Sequence, residues 1–156
     1  MIHFRAIDEN NFDTVIDMTP PEGELFVSSN AYSLAQAWLY RNAGDVHAFA
    51  VYADDTPVGF MQLDGDDDPR CLILWRIVIA REHRGRGYGT AAVRELIRLA
   101  RESGRYDSIL LGCAPENRDA EYIYRKLGFL PTGVVEDGEA EFRLDLCSSD
   151  AGIVNE

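Results

Sequence analysis

Residues 84 to 90 carry the clearest chemical signal in the chain, a run in which glycines alternate with larger residues. The run reads Arg84-Gly85-Arg86-Gly87-Tyr88-Gly89-Thr90. Glycines let the backbone approach an anion closely, and the amide groups at a helix N-terminus attract one. The run opens a helical pattern and its arginines add positive charge, so it predicts a diphosphate-binding loop. A turn that needs glycine only for positive φ is the competing interpretation.

Two other nucleotide-binding motifs fit this run less well. Gly87-x-Gly89-x-x-Ala92 satisfies the dinucleotide pattern of a Rossmann domain. In a Rossmann unit the first strand leads almost directly into the glycines, whereas residues 81–84 intervene here and only one further parallel unit follows. A P-loop requires Lys followed by Ser or Thr after the glycines, which this run lacks.

The sequence predicts no metal site. The three cysteines lie far apart without a CxxC pair, and the three histidines show no metal spacing, so we interpret the cysteines as strand-borne packing residues. Asp64-x-Asp66-x-Asp68 resembles the start of a calcium loop. Pro69, however, stands where that loop needs glycine, and Trp75 stands where it needs a bidentate Glu.

Length and composition predict one domain. The chain has 156 residues, of which 46% are hydrophobic, enough for a core over residues 1–147 followed by a flexible tail at 148–156. We see neither a leader nor a membrane span and expect a cytoplasmic protein without membrane partners. The net charge of -12 argues against nucleic-acid binding, because phosphates need a basic face. It favours a cationic partner, although solubility alone would also explain it.

The first half of the chain predicts the elements that lead to the glycine run. Residues 2–7 indicate a strand, and Asp8 and Ser33 are expected to cap the two helices that follow. Residues 46–53 and 57–64 indicate a hairpin with a polar turn. A third antiparallel strand is expected at 71–80.

The second half predicts a parallel crossover. A helix that begins at the glycine run and ends at Gly104 connects strand 71–80 to strand 108–113, and such crossovers are right-handed. A further helix at about 117–127 and strands near 130–135 and 140–146 complete the pattern. The expected fold class is therefore α/β, with a strongly bent, mixed sheet of about six to seven strands and about four helices.

These motifs resemble those of the GCN5-related N-acetyltransferase (GNAT) superfamily. Arg84-x-x-Gly87-x-Gly89 is similar to its signature, and the segment from Asn117 through Ala120 and Tyr124 to Phe129 resembles its second cofactor-side motif. Phe26-Val27-x-x-Asn30, Trp75-Arg76 and the ending from Thr132 to Glu139 resemble the bacterial spermine/spermidine (diamine) acetyltransferase branch. The resemblance implies a GNAT fold and acetyl-CoA as cosubstrate.

The resemblance also implies where acetyl-CoA binds. The backbone of Ile77, Val78 and Ile79 would pair with the pantetheine arm, and Arg84 with Gly85 to Thr90 would hold the pyrophosphate. Asn117 would hydrogen-bond the pantetheine chain beside Ala120, although an N-cap role would also explain it. The pairing requires the parallel strands to splay apart at residue 77.

Two catalytic roles follow from the same resemblance. The backbone N–H of Ile77 would stabilise the oxygen that gains charge when an amine attacks the thioester. Tyr124 would protonate the departing CoA thiolate as general acid. An ordinary strand residue and a packing tyrosine are the respective alternatives.

The acceptor side is less well defined. Polyamine acetyltransferases commonly carry a carboxylate nine positions before the motif arginine, where this chain has Trp75, so the general base is unassigned. Asp64, Glu22, Glu24 or a chain of water molecules could fill the role, although each carboxylate could equally be a solvated surface charge. Trp75 could instead stack against an alkyl or cationic acceptor.

We expect direct acetyl transfer to a primary amine, with a polyamine such as spermidine or spermine as the favoured acceptor. The alternatives are acetylation of a protein, peptide or other small amine, and a catalytically silent CoA-binding sensor. A homodimer would agree with the resemblance, since dimers are common among the proteins that this chain resembles.

Overall fold

The computed structural model describes residues 1–18 and 29–147. Within them, the strands are β1 (Ile2–Ala6), β2 (Val46–Ala53), β3 (Thr56–Asp67), β4 (Arg70–Ile79), β5 (Ser108–Cys113), β6 (Leu130–Glu136) and β7 (Glu139–Asp145). The α-helices are α1 (Phe12–Asp17), α2 (Asn30–Leu39), α3 (Tyr88–Ser103) and α4 (Arg118–Lys126). The predicted α/β class, with seven strands and four helices in the described residues, is confirmed. Glu22, Glu24, Phe26, Val27 and the tail at 148–156 lie outside the described residues.

The strands form one mixed sheet in the order β1-β2-β3-β4-β5-β7-β6. Only β4 and β5 pair in parallel, and α3 connects them as the crossover helix. All other neighbours pair antiparallel. Short turns join three of these pairs, β2 with β3, β3 with β4, and β6 with β7. The predicted change from antiparallel to parallel pairing at β4 is therefore confirmed.

Helices cover the two faces of the sheet unequally. The larger core packs α3, through Val93 and Leu96, against strand residues such as Leu74, Ile109 and Phe142. A smaller core on the opposite face packs α1 against β2 and β3. Alternation along each strand sends successive side chains to opposite faces. The face of β5 and β7 opposite α3 therefore carries Leu110, Gly112, Glu139, Glu141 and Arg143, which belong to neither core.

Several local expectations were wrong. Asn11, not Asp8, precedes α1, and the Asp8 carboxylate instead accepts hydrogen bonds from the Asn10 and Asn11 amides in the preceding turn. Ser29, not Ser33, caps α2 by accepting from the Tyr32 amide. Several residues of these segments can cap a helix, so composition alone does not select the one in use.

Two further expectations about β-strands also need correction. β3 continues to Asp67 because Asp66 and Asp67 pair with Cys71 and Arg70 of β4. Asp64 therefore lies inside a strand and not at its end. Cys147 is exposed and lies beyond β7, where its thiol donates to Asp107 Oδ1 at 3.4 Å, so it is not a strand-borne packing residue.

A buried polar cluster joins the first two helices to the sheet. The Arg76 guanidinium, only 6% exposed, donates to Asn30 Oδ1 at 3.3 Å, and Asn30 Nδ2 donates to the Val15 carbonyl at 2.8 Å. Gln62 Nε2 donates to the Ser33 carbonyl at 2.9 Å. Burial lowers the pKa of Arg76 to about 10, so the side chain is still charged at neutral pH. Asn30 thus holds a buried cation in place.

Asn30→Ala should destabilise the fold by roughly 2–4 kcal/mol, because it removes the oxygen that accepts from the buried Arg76 guanidinium and the shorter of the two hydrogen bonds to the Val15 carbonyl, which keeps the Met18 amide at 3.3 Å. Urea denaturation followed by circular dichroism measures the effect, and Asn42→Ala, which changes an exposed residue beyond α2, is the matched control. An equal midpoint for both variants would show that the cluster contributes nothing to stability.

No helix within residues 1–18 and 29–147 is both long and apolar enough to cross a membrane.

Candidate active site

The candidate site is a cleft that opens where β4 and β5 separate. Their pairing ends at Leu74 and Leu111, although β4 continues to Ile79 and β5 to Cys113. The strands therefore part at Trp75, two residues before the predicted position, and Ile77 lies within the separated part. The cleft has a volume of about 290 Å³. Its lining is Ile77, Val78, Ile79, His83, Arg84, Gly85, Gly87, Tyr88, Gly89, Thr90, Val93, Asn117, Asp119, Ala120, Ile123 and Tyr124.

Backbone groups of β4 face this cleft. The Ala80 amide donates to the Val58 carbonyl at 2.8 Å, which sets the phase of hydrogen bonding between β3 and β4. Hydrogen-bonded pairs alternate along an antiparallel ladder, so Val78 and Arg76 bond to β3 while Ile77 and Ile79 point their N–H and C=O groups away from it. Those groups point towards the side that β5 has left. An extended ligand could pair with them as an added strand.

Trp75 is the extra residue of a β-bulge. β3 pairs Gln62 with Arg76 but Leu63 with Leu74, which leaves Trp75 without a partner. The bulge shifts the alternation of β4, so that Leu74 before it and Ile77 after it both pack on the α3 side. The Trp75 ring instead meets Tyr40 at the end of α2, edge to face with centroids 6.1 Å apart. Trp75 therefore lies outside the cleft lining, beside the opening and on the opposite face of the sheet.

The glycine run forms one end of the cleft at the start of α3. Gly87 is the N-cap with φ 80°, and Gly85 has φ 78°, so both positions favour glycine for conformational reasons. A Cβ at either glycine would meet no atom within 4 Å, so both also face open space. The amide groups at the start of the 16-residue helix add a positive end. The two interpretations of the glycines are therefore compatible, and the geometry fits an extended ligand that carries a diphosphate.

The N-terminal part of α4 forms the opposite wall. Asn117 is its N-cap and accepts from the Ala120 amide at 3.4 Å. Asn117, Ala120 and Tyr124 recur at helical spacing and all line the cleft. Asp119 and Ile123 line it as well and were not predicted, although the same spacing would have indicated Ile123.

Tyr124 lies at the inner end of this wall. Its ring packs edge to face on Phe129, with centroids 5.8 Å apart. Burial raises the pKa of Tyr124, and the nearby Cys113 and Glu139 raise it further. Within the described residues its hydroxyl has no hydrogen-bond partner. A protonated phenol that faces a cleft can donate a proton to a departing anion.

Cys113 lies close to Tyr124 but is poorly suited to act as a nucleophile. Its thiol lies 3.6 Å from the Ala114 carbonyl and 3.7 Å from the Asn117 carbonyl. Burial raises the pKa of Cys113 to about 11, and Glu121 and Glu139 contribute to the shift. The reactive thiolate is therefore scarce at neutral pH, which favours transfer without a covalent enzyme intermediate.

The structure brings together most of the predicted cofactor residues. The exception is Arg86, which is exposed and outside the lining. Glu24, predicted on the acceptor side, lies outside the described residues. Asp64 also lies outside the lining, on the same face of the sheet as Gln62 and Trp75. Burial raises the pKa of Asp64, and Asp45 adds to the shift. His83 and Val93 line the cleft but were not predicted, because neither belongs to a recognised motif.

A family comparison agrees with this geometry. The model of the acetyltransferase (GNAT) family matches residues 13–129, well over half of the chain. This chain belongs to the GNAT acetyltransferase family. The match includes both the glycine run and the wall formed by α4.

Individual relatives match only part of this chain. A probable glucosamine 6-phosphate N-acetyltransferase 2 of Oryza sativa subsp. japonica is 41% identical over 58 residues, which are 37% of this chain and 32% of that protein. An uncharacterized N-acetyltransferase, YobR, of Bacillus subtilis (strain 168) is also 41% identical over 58 residues, 37% of this chain and 23% of the relative. This GNAT chain therefore spans about a quarter to a third of the length of these relatives.

Similarity to solved structures extends over the whole domain. A spermidine N-acetyltransferase from Vibrio cholerae, in complex with CoA and spermine, superposes with a TM-score of 0.70 at 18% identity. The alignment covers 91% of this chain and 92% of the Vibrio chain. At this level of identity the similarity establishes the shared GNAT fold.

Proposed function

We propose that this protein is an acetyl-CoA-dependent N-acetyltransferase that transfers acetyl directly to a primary amine of a small polyamine such as spermidine or spermine. Membership of the GNAT family and a cleft suited to an extended, diphosphate-bearing thioester support the acetyl transfer. Side chains on the opposite face of the sheet support the choice of acceptor.

Different residues of the cleft bind different parts of acetyl-CoA. The N–H and C=O groups of Ile77 and Ile79 hold the pantetheine arm, and the amides from Gly85 to Thr90 hold the diphosphate. The Ile77 N–H stabilises the charge that develops on the carbonyl oxygen. Tyr124 gives its proton to the sulfur that leaves.

The choice of a polyamine as acceptor rests on the aromatic and acidic side chains of the sheet face that lies across the opening from α4. We call this the acceptor face and define it by Trp75, Gly112, Glu139 and Glu141, with Asp64 further along β3. The Trp75 and Tyr40 rings meet at one side of the opening, and the two glutamates lie at the other. Aromatic faces and carboxylates both attract an alkylammonium group.

The charges around this face also favour a cation. The chain has a net charge of -12, which strengthens the attraction at low ionic strength. Of the arginines on this side of the sheet, Arg76 is enclosed against Asn30 and Arg143 is exposed on β7. The Vibrio protein of the same fold, solved with spermine, gives an independent reason to test polyamines first.

A panel of acceptors tests the proposal. CoA release is measured with spermidine, spermine, diamines, glucosamine 6-phosphate, aminoglycosides, amino acids and lysine peptides, at low and high salt. A polyamine should show the highest kcat/KM, and its advantage should shrink as salt screens the acidic surface.

The panel separates the alternatives. A neutral amine, a sugar amine or a peptide at the head of the panel would contradict the polyamine acceptor and leave acetyl transfer intact. Tight acetyl-CoA binding without turnover of any amine would favour a CoA-binding sensor. Binding of NADH in place of acetyl-CoA would contradict the proposed donor.

A further inference from the structure

Glu139 lies at the edge of the acceptor face, beside the end of β5. It is the first residue of β7, directly after the turn at Asp137 and Gly138. β5 pairs Cys113 with Ala140 and Gly112 with Glu141, so Glu139 extends past the end of β5. Its side chain bends back over Gly112, because a Cβ built on Gly112 would overlap Glu139 Oε2.

The sheet is open at this point. Gly112 lies one residue beyond Leu111, the last residue of β5 that pairs with β4. Across the gap, Trp75 lies one residue beyond Leu74, the last paired residue of β4. The carboxylate of Glu139 and the ring of Trp75 therefore flank the opening on the same face of the sheet. The absence of a side chain at Gly112 makes room for the Glu139 carboxylate at this edge of the opening.

The Glu139 carboxylate is available for a ligand. It is half-buried, and in the described part of the chain no hydrogen-bond donor or cation pairs with it. Glu141, its neighbour on the same face of β7, is instead engaged by the Thr132 hydroxyl at 2.9 Å. Within the described residues, Glu139 thus differs from Glu141 in having no hydrogen-bond or ion-pair partner.

The electrostatic surroundings of Glu139 disfavour its charged form. Burial raises the pKa of Glu139, and Asp137 in the adjoining turn raises it further. Glu141 and the more distant Arg143 share its face of β7, and Glu136 pairs with it across the hairpin. Its charge in turn raises the pKa of both Tyr124 and Cys113, which places all three groups around the end of the opening.

Glu139 and Tyr124 approach the opening from opposite faces. Cys113 packs in the core beside α4, together with Tyr124, whereas Gly112 and the overlying Glu139 face the other way. Attack on a thioester carbonyl requires a base beside the incoming nitrogen and an acid beside the departing sulfur. The two side chains meet this requirement from the two sides of the sheet.

We propose that Glu139 is the general base of the acetyl transfer, a role that rests on the proposed function. The bound ammonium gives one proton to the Glu139 carboxylate, and its freed lone pair forms the C–N bond. The C–S bond breaks and the sulfur takes the Tyr124 proton. The remaining surplus proton on nitrogen and the proton on Glu139 pass to solvent, which returns one proton to Tyr124. One proton is released overall for each ammonium acetylated.

Glu139→Gln keeps the size of the side chain but removes the base, so kcat should fall on the order of 10²-fold. Gly112→Ala should lower kcat about 10-fold or more, because the new methyl group displaces the carboxylate without removing it. Glu136→Gln removes the same charge from an exposed position of the same hairpin and should leave kcat unchanged. Acetyl-CoA should raise the melting temperature of all three variants as it does that of the wild type.

Two further readouts distinguish a base from a purely structural residue. Since the pKa of Glu139 is raised, the wild-type kcat/KM should fall on the acid side at a pH above 4.5, the ordinary value for Glu, and Glu139→Gln should lack this limb. A fluorinated analogue of the preferred amine, which is neutral at the assay pH, needs no deprotonation before attack. It should recover most of the activity that Glu139→Gln loses.

The outcomes separate this inference from the proposed function. If the wild type acetylates an amine and Glu139→Gln equals Glu136→Gln in kcat and pH profile, Glu139 is not the base although the function stands. A change in KM alone, with the acid limb retained, also overturns the assignment. If the wild type acetylates no amine, the proposed function fails and the role of Glu139 fails with it.

Discussion

Gly87→Glu is expected to abolish the rise in melting temperature that acetyl-CoA gives to the wild-type protein. Gly87 is the N-cap of α3, and a Cβ there would project into open space at the end of the cleft. A glutamate would therefore place its carboxylate where the diphosphate is proposed to bind. At 100 times the dissociation constant, acetyl-CoA should stabilise the wild type by about 2.7 kcal/mol, and the variant should gain almost none of this. Differential scanning fluorimetry with and without acetyl-CoA measures both.

Gly44→Glu is the matched control for this prediction. Gly44 has φ 76°, close to the φ of 80° at Gly87, and a Cβ there also meets no atom within 4 Å. Both variants should therefore pay a similar conformational cost of about 1–2 kcal/mol without ligand. Gly44 does not line the cleft, so its variant should keep the full response to acetyl-CoA. An equal response in both variants would contradict the proposed diphosphate site.

Tyr124→Phe should lower kcat on the order of 10²-fold or more and leave acetyl-CoA affinity nearly unchanged. The substitution removes the proton donor but keeps the ring that packs on Phe129. No hydrogen-bond partner of the hydroxyl lies among residues 1–18 and 29–147, so little loss of stability is expected there. The raised pKa keeps Tyr124 protonated at neutral pH, which suits an acid and not a base.

Steady-state kinetics on Tyr124→Phe and Tyr122→Phe test this role. Tyr122 belongs to the same helix but is 67% exposed and outside the lining, so its variant should retain wild-type kcat. If kcat of Tyr124→Phe also remained at the wild-type level, Tyr124 would be a packing residue of α4. A rise in KM for acetyl-CoA alone would indicate a binding role.

Tyr124 and Glu139 are proposed to act in the same reaction, from the two sides of the opening between β4 and β5. Loss of Tyr124 removes the acid from the α4 side, and loss of Glu139 removes the proposed base from the acceptor face. Residues that act in one step give non-additive losses, so the double variant should lose less activity than the product of the two single losses.

The residues of the donor half of the candidate site could be identified from local patterns in the chain. Gly87, Gly89, Asn117 and Tyr124 fall in two short stretches, each at the start of or within a helix whose periodicity is clear. Local rules of backbone freedom, capping and helical spacing act on neighbours in sequence, so they place such residues without knowledge of the remaining fold. The pairing of β2 through β5 followed from the same patterns, because short turns join the three antiparallel strands and a helix joins the parallel pair.

The residues of the acceptor half could be identified only from the way in which the strands assemble into a sheet. The bulge at Trp75 depends on the register between β3 and β4, which periodicity along one strand does not reveal. Gly112 and Glu139 lie 27 positions apart in the printed chain, and they meet only because β7 inserts beside β5 and ahead of β6 in the sheet. Local patterns carry no information on that order. The position of the Glu139 carboxylate over the opening therefore became visible only when strands distant in sequence had been brought side by side.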